Sequence, residues 1–283
     1  MNKSFIITIG WFLLFGLSTA AMAGERLPIP SGVYYHRFAS AVGGAEALWV
    51  NPAALGDIPG VNFQLMADYG DGDFGQDWGV ALAGDNIGVG FRRLDNFEGG
   101  RLDEYVFAVG KSIGLDYHWG GSYRYISRAP GFYNKKHFWN VSLLLRRASG
   151  FSYAMVFSNL NRSRVDGRET DIEQLYSISY FPRRIPLVLS LDVNLSTGQN
   201  LSEAIYRYGL EISPVGGLRI YGQITSESDY QLGLRINLGR YFIGSQGISD
   251  SGGNSGRTAF YAGLTTAQQA SLIPIGRNGR RSR

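Results

Sequence analysis

Cysteine is absent from the 283 residues. That excludes disulfide scaffolds, thiolate nucleophiles and Cys-based metal sites. Charge is scarce as well. Asp, Glu, Lys and Arg make up 18% of the chain, against about a quarter in an ordinary soluble domain. Lysine contributes little of it: Lys3, Lys111, Lys135 and Lys136 stand against 23 arginines. The net charge is only +4 and no nucleic-acid motif accompanies it, so no nucleic-acid partner is expected. Nine prolines and no strict glycine period exclude a collagen-like chain. After residue 23 no apolar run reaches the ~18 residues of a spanning helix. His36, His118 and His137 are the three histidines. No Gly-x-Ser-x-Gly elbow and no metal-ligand spacing surrounds them, so neither an enzymatic step nor a cofactor is expected. Asp116, His118 and Ser122 share a strand face, but i and i+4 in a strand are too far apart for direct contact.

Glycine and aromatic residues are plentiful instead, with 39 glycines, 13% aromatics and 44% apolar residues overall. This composition disfavours a helical bundle and a disordered chain. The chain opens as an export signal: Met1–Lys3 is basic, Phe5–Leu17 is apolar, and Ala21-Met22-Ala23 forms an A-x-A cleavage site. The mature chain is expected to begin at Gly24.

Residues 24–60 are rich in small residues and proline, with Ala45–Trp49 as the best helical turn. From Val61 the period becomes two. Phe63, Leu65, Ala67 and Tyr69 oppose Asn62, Gln64 and Asp68. Tyr206, Tyr208, Leu210 and Ile212 oppose Arg207, Gly209 and Glu211, and Leu232, Leu234, Ile236 and Leu238 oppose Gln231, Gly233, Arg235 and Asn237. Strands of about 9–11 residues joined by Gly, Asn and Asp turns suit an outer-membrane crossing. Residues 161–170 read as a polar loop, and the Arg92-Arg93, Arg146-Arg147 and Arg183-Arg184 doublets as strand ends and loops.

The expected fold is therefore all-β: a transmembrane antiparallel β-barrel of about 12–14 strands over residues 61–264. Signal peptide 1–23 and segment 24–60 precede it, and residues 265–283 form a basic periplasmic tail or linker. Arg124, Asp192, Arg207, Glu211, Arg219 and Arg235 occupy alternate strand positions and are candidates for the lumen face. The alternating Leu, Ile, Tyr and Trp would face lipid, which places the chain in the outer membrane of a Gram-negative bacterium.

One motif precedes the first strand: Gly43-Gly44-Ala45-Glu46-Ala47-Leu48-Trp49-Val50-Asn51-Pro52-Ala53-Ala54-Leu55. Asn51 can cap a turn and Pro52 can open it. This small-residue run with Asn51-Pro52-Ala53, followed by many alternating strands, resembles the long-chain fatty acid transporter family of outer-membrane barrels and the related barrels of the type IX secretion system. The resemblance implies a 14-stranded barrel whose N-terminal segment folds inside as a hatch, with Asn51, Pro52 and Ala53 as part of it. It also implies passage of small hydrophobic molecules. The alternative is an outer-membrane anchor or secretion-assembly component, holding a periplasmic protein or a fused domain.

Overall fold

The computed structural model describes residues 37–70, 73–97, 100–128, 133–165, 168–182, 185–249 and 255–266. The signal peptide, residues 24–36 and the tail from 267 lie outside the described residues.

Alternating apolar residues set the barrel strands: β1 (Asn62–Gly70), β2 (Asp73–Gly84), β3 (Ile87–Phe97), β4 (Gly100–Ile113), β5 (Tyr117–Ser127), β6 (Lys136–Arg146) and β7 (Phe151–Ser158). After a short hairpin of β8 (Arg164–Val165) and β9 (Arg168–Glu169) come β10 (Glu173–Tyr180), β11 (Leu187–Ser196), β12 (Ile205–Ile212), β13 (Leu218–Thr225), β14 (Tyr230–Leu238), β15 (Tyr241–Ser249) and β16 (Ser255–Thr265). Among the described residues, fourteen strands form one antiparallel barrel, closed where β1 pairs with β16 from Asn62↔Thr265 to Tyr69↔Thr258. Closure leaves no free strand edge, which is the condition for a sheet in lipid.

Connections at one rim are short, running from two residues (85–86 and 239–240) to six (181–186). The first is a two-residue turn with Asp85 and Asn86 both at positive φ (48° and 73°), the twist that a tight hairpin requires. The opposite rim carries the longer connections, 128–135, 159–172 and 197–204. Outer-membrane barrels place short turns in the periplasm and long loops outside. Two expectations fail here. Residues 161–170 contain the β8–β9 hairpin, in which Arg164 pairs with Glu169. Arg92 and Arg93 lie in the middle of β3, because each reaches a carboxylate on β4.

Successive side chains point alternately out and in. Outward residues of the central belt are apolar and open: Leu65, Val89, Phe107, Leu189, Leu210, Ile224 and Leu232 are 46–65% exposed. On a soluble protein so continuous an apolar surface would drive aggregation, whereas in lipid it is satisfied. Aromatic rings form belts on it. Toward the long-loop rim Trp78, Phe91 and Tyr105 stand 5.0 Å apart in turn, and toward the short-turn rim Phe151 lies 4.6 Å from Tyr180.

Candidate functional site: the filled lumen

The inward face encloses the chain's own residues 37–60. A 3-10 turn (Gly44–Glu46), one α-helical turn, α1 (Ala47–Val50), and a second 3-10 turn (Pro52–Asp57) follow one another there. Asn51 joins them. It is fully buried, its Oδ1 accepts from Ala53 N at 3.1 Å, and its Nδ2 donates to the Ala39 carbonyl at 2.8 Å. Pro52 opens the second turn, where a missing N–H costs nothing. Small residues let this inner segment lie close to the wall.

That closeness is measurable at glycines. A Cβ on Gly120 would stand 2.4 Å from Ala53 N, and one on Gly110 2.4 Å from the Pro52 carbonyl oxygen. Leu48 and Trp49 press in the same way on Gly88 and Gly90. Strands β3, β4 and β5 thus give up side chains where the segment needs room. Hydroxyls complete the contact. Ser142 Oγ accepts from Ala53 N at 2.8 Å, Ser152 donates to the Ser40 carbonyl at 2.6 Å, and Ser40 Oγ lies 2.7 Å from both Ser177 Oγ and Ser179 Oγ.

Among the described residues several lumen charges form ion pairs. Glu104 is fully buried between Arg92 and Arg124, and the Trp49 indole N–H also donates to it at 3.1 Å. Asp192 pairs with Arg207, and Glu211 with Arg219 at 3.4 Å. Glu46 of the inner segment holds two arginines: Arg37 Nε at 2.9 Å from Oε2, and Arg235 at 3.8 Å from Oε1. Burial works against charge on Arg37, but Glu46 and Glu211 outweigh it and hold its pKa above arginine's ordinary value. Arg235 also lies over the Phe242 ring, and Arg207 over Phe38.

All six charged residues singled out from the sequence sit on inward strand positions. The structure joins Asp192 to Arg207 and Glu211 to Arg219, while Arg124 and Arg235 go to Glu104 and Glu46. Glu46, Arg92 and Glu104 escaped the sequence reading. A signal for Glu46 existed: it is the one acid in a run of small and apolar residues, the setting of a buried pair.

His118 and Ser122 are not joined. His118 Nδ1 lies 2.8 Å from Ser112 Oγ, and Ser122 accepts from Asn140 at 3.1 Å. Ser112 donates its proton to the Gly56 carbonyl at 2.6 Å. His118 must therefore present an Nδ1–H to it, so this histidine cannot take up the Ser112 proton.

A cleft of about 30 Å³ remains between the inner segment and the wall, lined by Arg37, Phe38, Ser190, Glu211, Tyr221 and Gln223. At about 10–15 Å³ of such space per water, that is room for two or more water molecules.

No protein-family model matches the chain, and no curated protein does. Solved structures do resemble it. The outer-membrane protein Omp33 of Acinetobacter baumannii aligns at 6% identity over 73% of this chain and 97% of its own, with a TM-score of 0.50. A triple mutant of the porin of Rhodopseudomonas blastica aligns at 8% identity over 72% and 97%, with a TM-score of 0.42. The likeness to Omp33 is one of fold. Closed, antiparallel and apolar on its outer surface, the chain has the fold of a Gram-negative outer-membrane barrel, and that membrane is where such a surface is satisfied.

Proposed function

We propose that the barrel is a gated conduit in which residues 37–60 act as a hatch, with Asn51, Pro52 and Ala53 as its inner joint, and that small hydrophobic molecules are its cargo. The observation that carries this reading is the fit of Pro52 and Ala53 onto Gly110 and Gly120, where wall side chains are given up to house a separate piece of chain. Apolar residues on the same wall support the cargo. Leu94, Leu102, Val106, Ile126 and Phe138 lie on the inward face of β3–β6, an apolar stretch that suits a passing apolar molecule. The resemblance to the fatty acid transporters points the same way, on the motif alone.

The absence of native cysteine makes the test clean. Ser40→Cys with Ser177→Cys puts two thiols where hydroxyl oxygens stand 2.7 Å apart. The oxidised double variant in proteoliposomes should lose uptake of a fluorescent fatty acid, and reductant should restore it. Undiminished uptake through the oxidised protein would sink the hatch. A second reading, a non-transporting anchor or assembly component, draws support from the inner segment itself, which occupies the lumen through its contacts with the wall. It expects no uptake in either redox state and a stoichiometric periplasmic partner in detergent extracts.

A further inference from the structure

The inner segment does not touch the two sides of the barrel in the same way. Toward β4–β7 and β10 its grip includes backbone on glycine and backbone to serine, in contacts at Gly110, Gly120, Ser142, Ser152 and Ser177, with the Leu48 and Trp49 side chains added against β3 and β4. Its backbone contacts part only if the chain itself moves. Toward β11–β14 the contact is made by side chains: the Phe38 ring over Gly209, and Glu46 to Arg235. The small cleft lies on this second side.

The two walls also differ in chemistry. Along β11–β14 the inward residues include Ser190, Asp192, Arg207, Glu211, Arg219, Tyr221, Gln223 and Arg235, so a passage here would be lined by water-like groups. Asp192–Arg207 and Glu211–Arg219 cancel as pairs. Beside these pairs, Arg37, which lines the cleft, and Arg235 share one carboxylate, Glu46. Two cations against one anion give this cluster an excess positive charge, and a low-dielectric surround strengthens its pull on anions.

We propose that the lumen holds a second conduit, a narrow path for small inorganic anions between the inner segment and the β11–β14 wall, with Glu46 as the bolt between Arg37 and Arg235. Opening needs only those side chains to part, while the segment stays seated on β3–β7. The path is therefore independent of the hydrophobic cargo and of hatch displacement.

Removing the bolt leaves two like charges facing one another in a buried site, which repel and draw in a mobile anion. The test is single-channel recording of the purified full chain in planar bilayers under a potassium chloride gradient. Wild type should show rare, small openings. Glu46→Gln should raise mean current by about tenfold or more, with the reversal potential displaced toward chloride. Arg37→Gln added to Glu46→Gln should return the reversal potential to the wild-type value, since one excess cation, Arg235, is left. Arg235→Gln gives an independent check, since it frees the bolt from the wall while Arg37 still neutralises it: current should rise without chloride preference. Currents in both Glu46→Gln and Arg235→Gln no larger than wild type, or a reversal displaced toward potassium in Glu46→Gln, would overturn the proposal. The Ser40→Cys/Ser177→Cys disulfide separates it from the hatch. Oxidation should leave the Glu46→Gln current intact while fatty acid uptake stops, so either idea can fail alone.

Discussion

Asn51 spends both ends of its amide inside the barrel, capping the second 3-10 turn with its oxygen and tying the Ala39 carbonyl with its nitrogen. Alanine there leaves a buried carbonyl without its donor. Asn51→Ala should cost about 1–3 kcal/mol, read as a fall in the thermal midpoint in detergent. Glycine substitutions probe the same contact from the wall. A side chain on Gly120 collides with backbone atoms of Pro52 and Ala53, which cannot rotate away. Gly120→Val should displace the inner segment, destabilise by about 1–3 kcal/mol and open residues 37–60 to protease while the barrel stays folded. Gly222→Ala is the control: its added Cβ meets no heavy atom closer than 3.7 Å and should change stability by less than about 0.5 kcal/mol. The capping chemistry of Asn51-Pro52 was readable in the sequence, because a cap acts on residues two or three positions away. The glycine contacts were not, since they depend on which distant strand lies beneath each residue.

Strands were legible where one face meets lipid and the other meets polar groups. β12 and β14 alternate cleanly, β13 does so apart from Gly222 on its outward face, and their bounds follow the pattern. The β8–β9 hairpin was not legible, since two-residue strands are too short to show a period. Ion pairing between strands was hidden for a different reason. A register slip of one residue turns every side chain to the other face, and only the register of β3 against β4 and β4 against β5 brings Arg92 and Arg124 to Glu104. Their doublet made Arg92 and Arg93 look like a strand end. In the fold one of them faces the lumen and the other lies beside Trp78 and Phe91 on the outer surface. The three adjoining strands are therefore tied at one point. Glu104→Gln should cost about 3–5 kcal/mol, because it strands two buried guanidinium groups, and urea unfolding in detergent would measure it. A loss below ~1 kcal/mol would mean that the pair barely holds these strands.

For the whole molecule, closure and the outward apolar face dictate how the protein behaves in bulk. Membranes carrying it should keep it through a high-salt wash and release it to detergent, because the apolar belt and not surface charge holds it. Extraction by salt alone would contradict a spanning barrel. The low share of charged residues follows from the same division. Most side chains face either lipid or a filled interior, and only the rims meet open water.

The seam between β1 and β16 has a consequence for biogenesis. The inner segment precedes β1 in the chain, and the barrel that surrounds it closes only when the last strand pairs with the first. Residues 37–60 must therefore wait, already synthesised, until some two hundred residues later the final strand arrives. A tightly packed cargo of backbone cannot be threaded through a finished wall, so packing and closure have to proceed together. Assembly of this barrel is then less like rolling a sheet than like wrapping one around its own leading end.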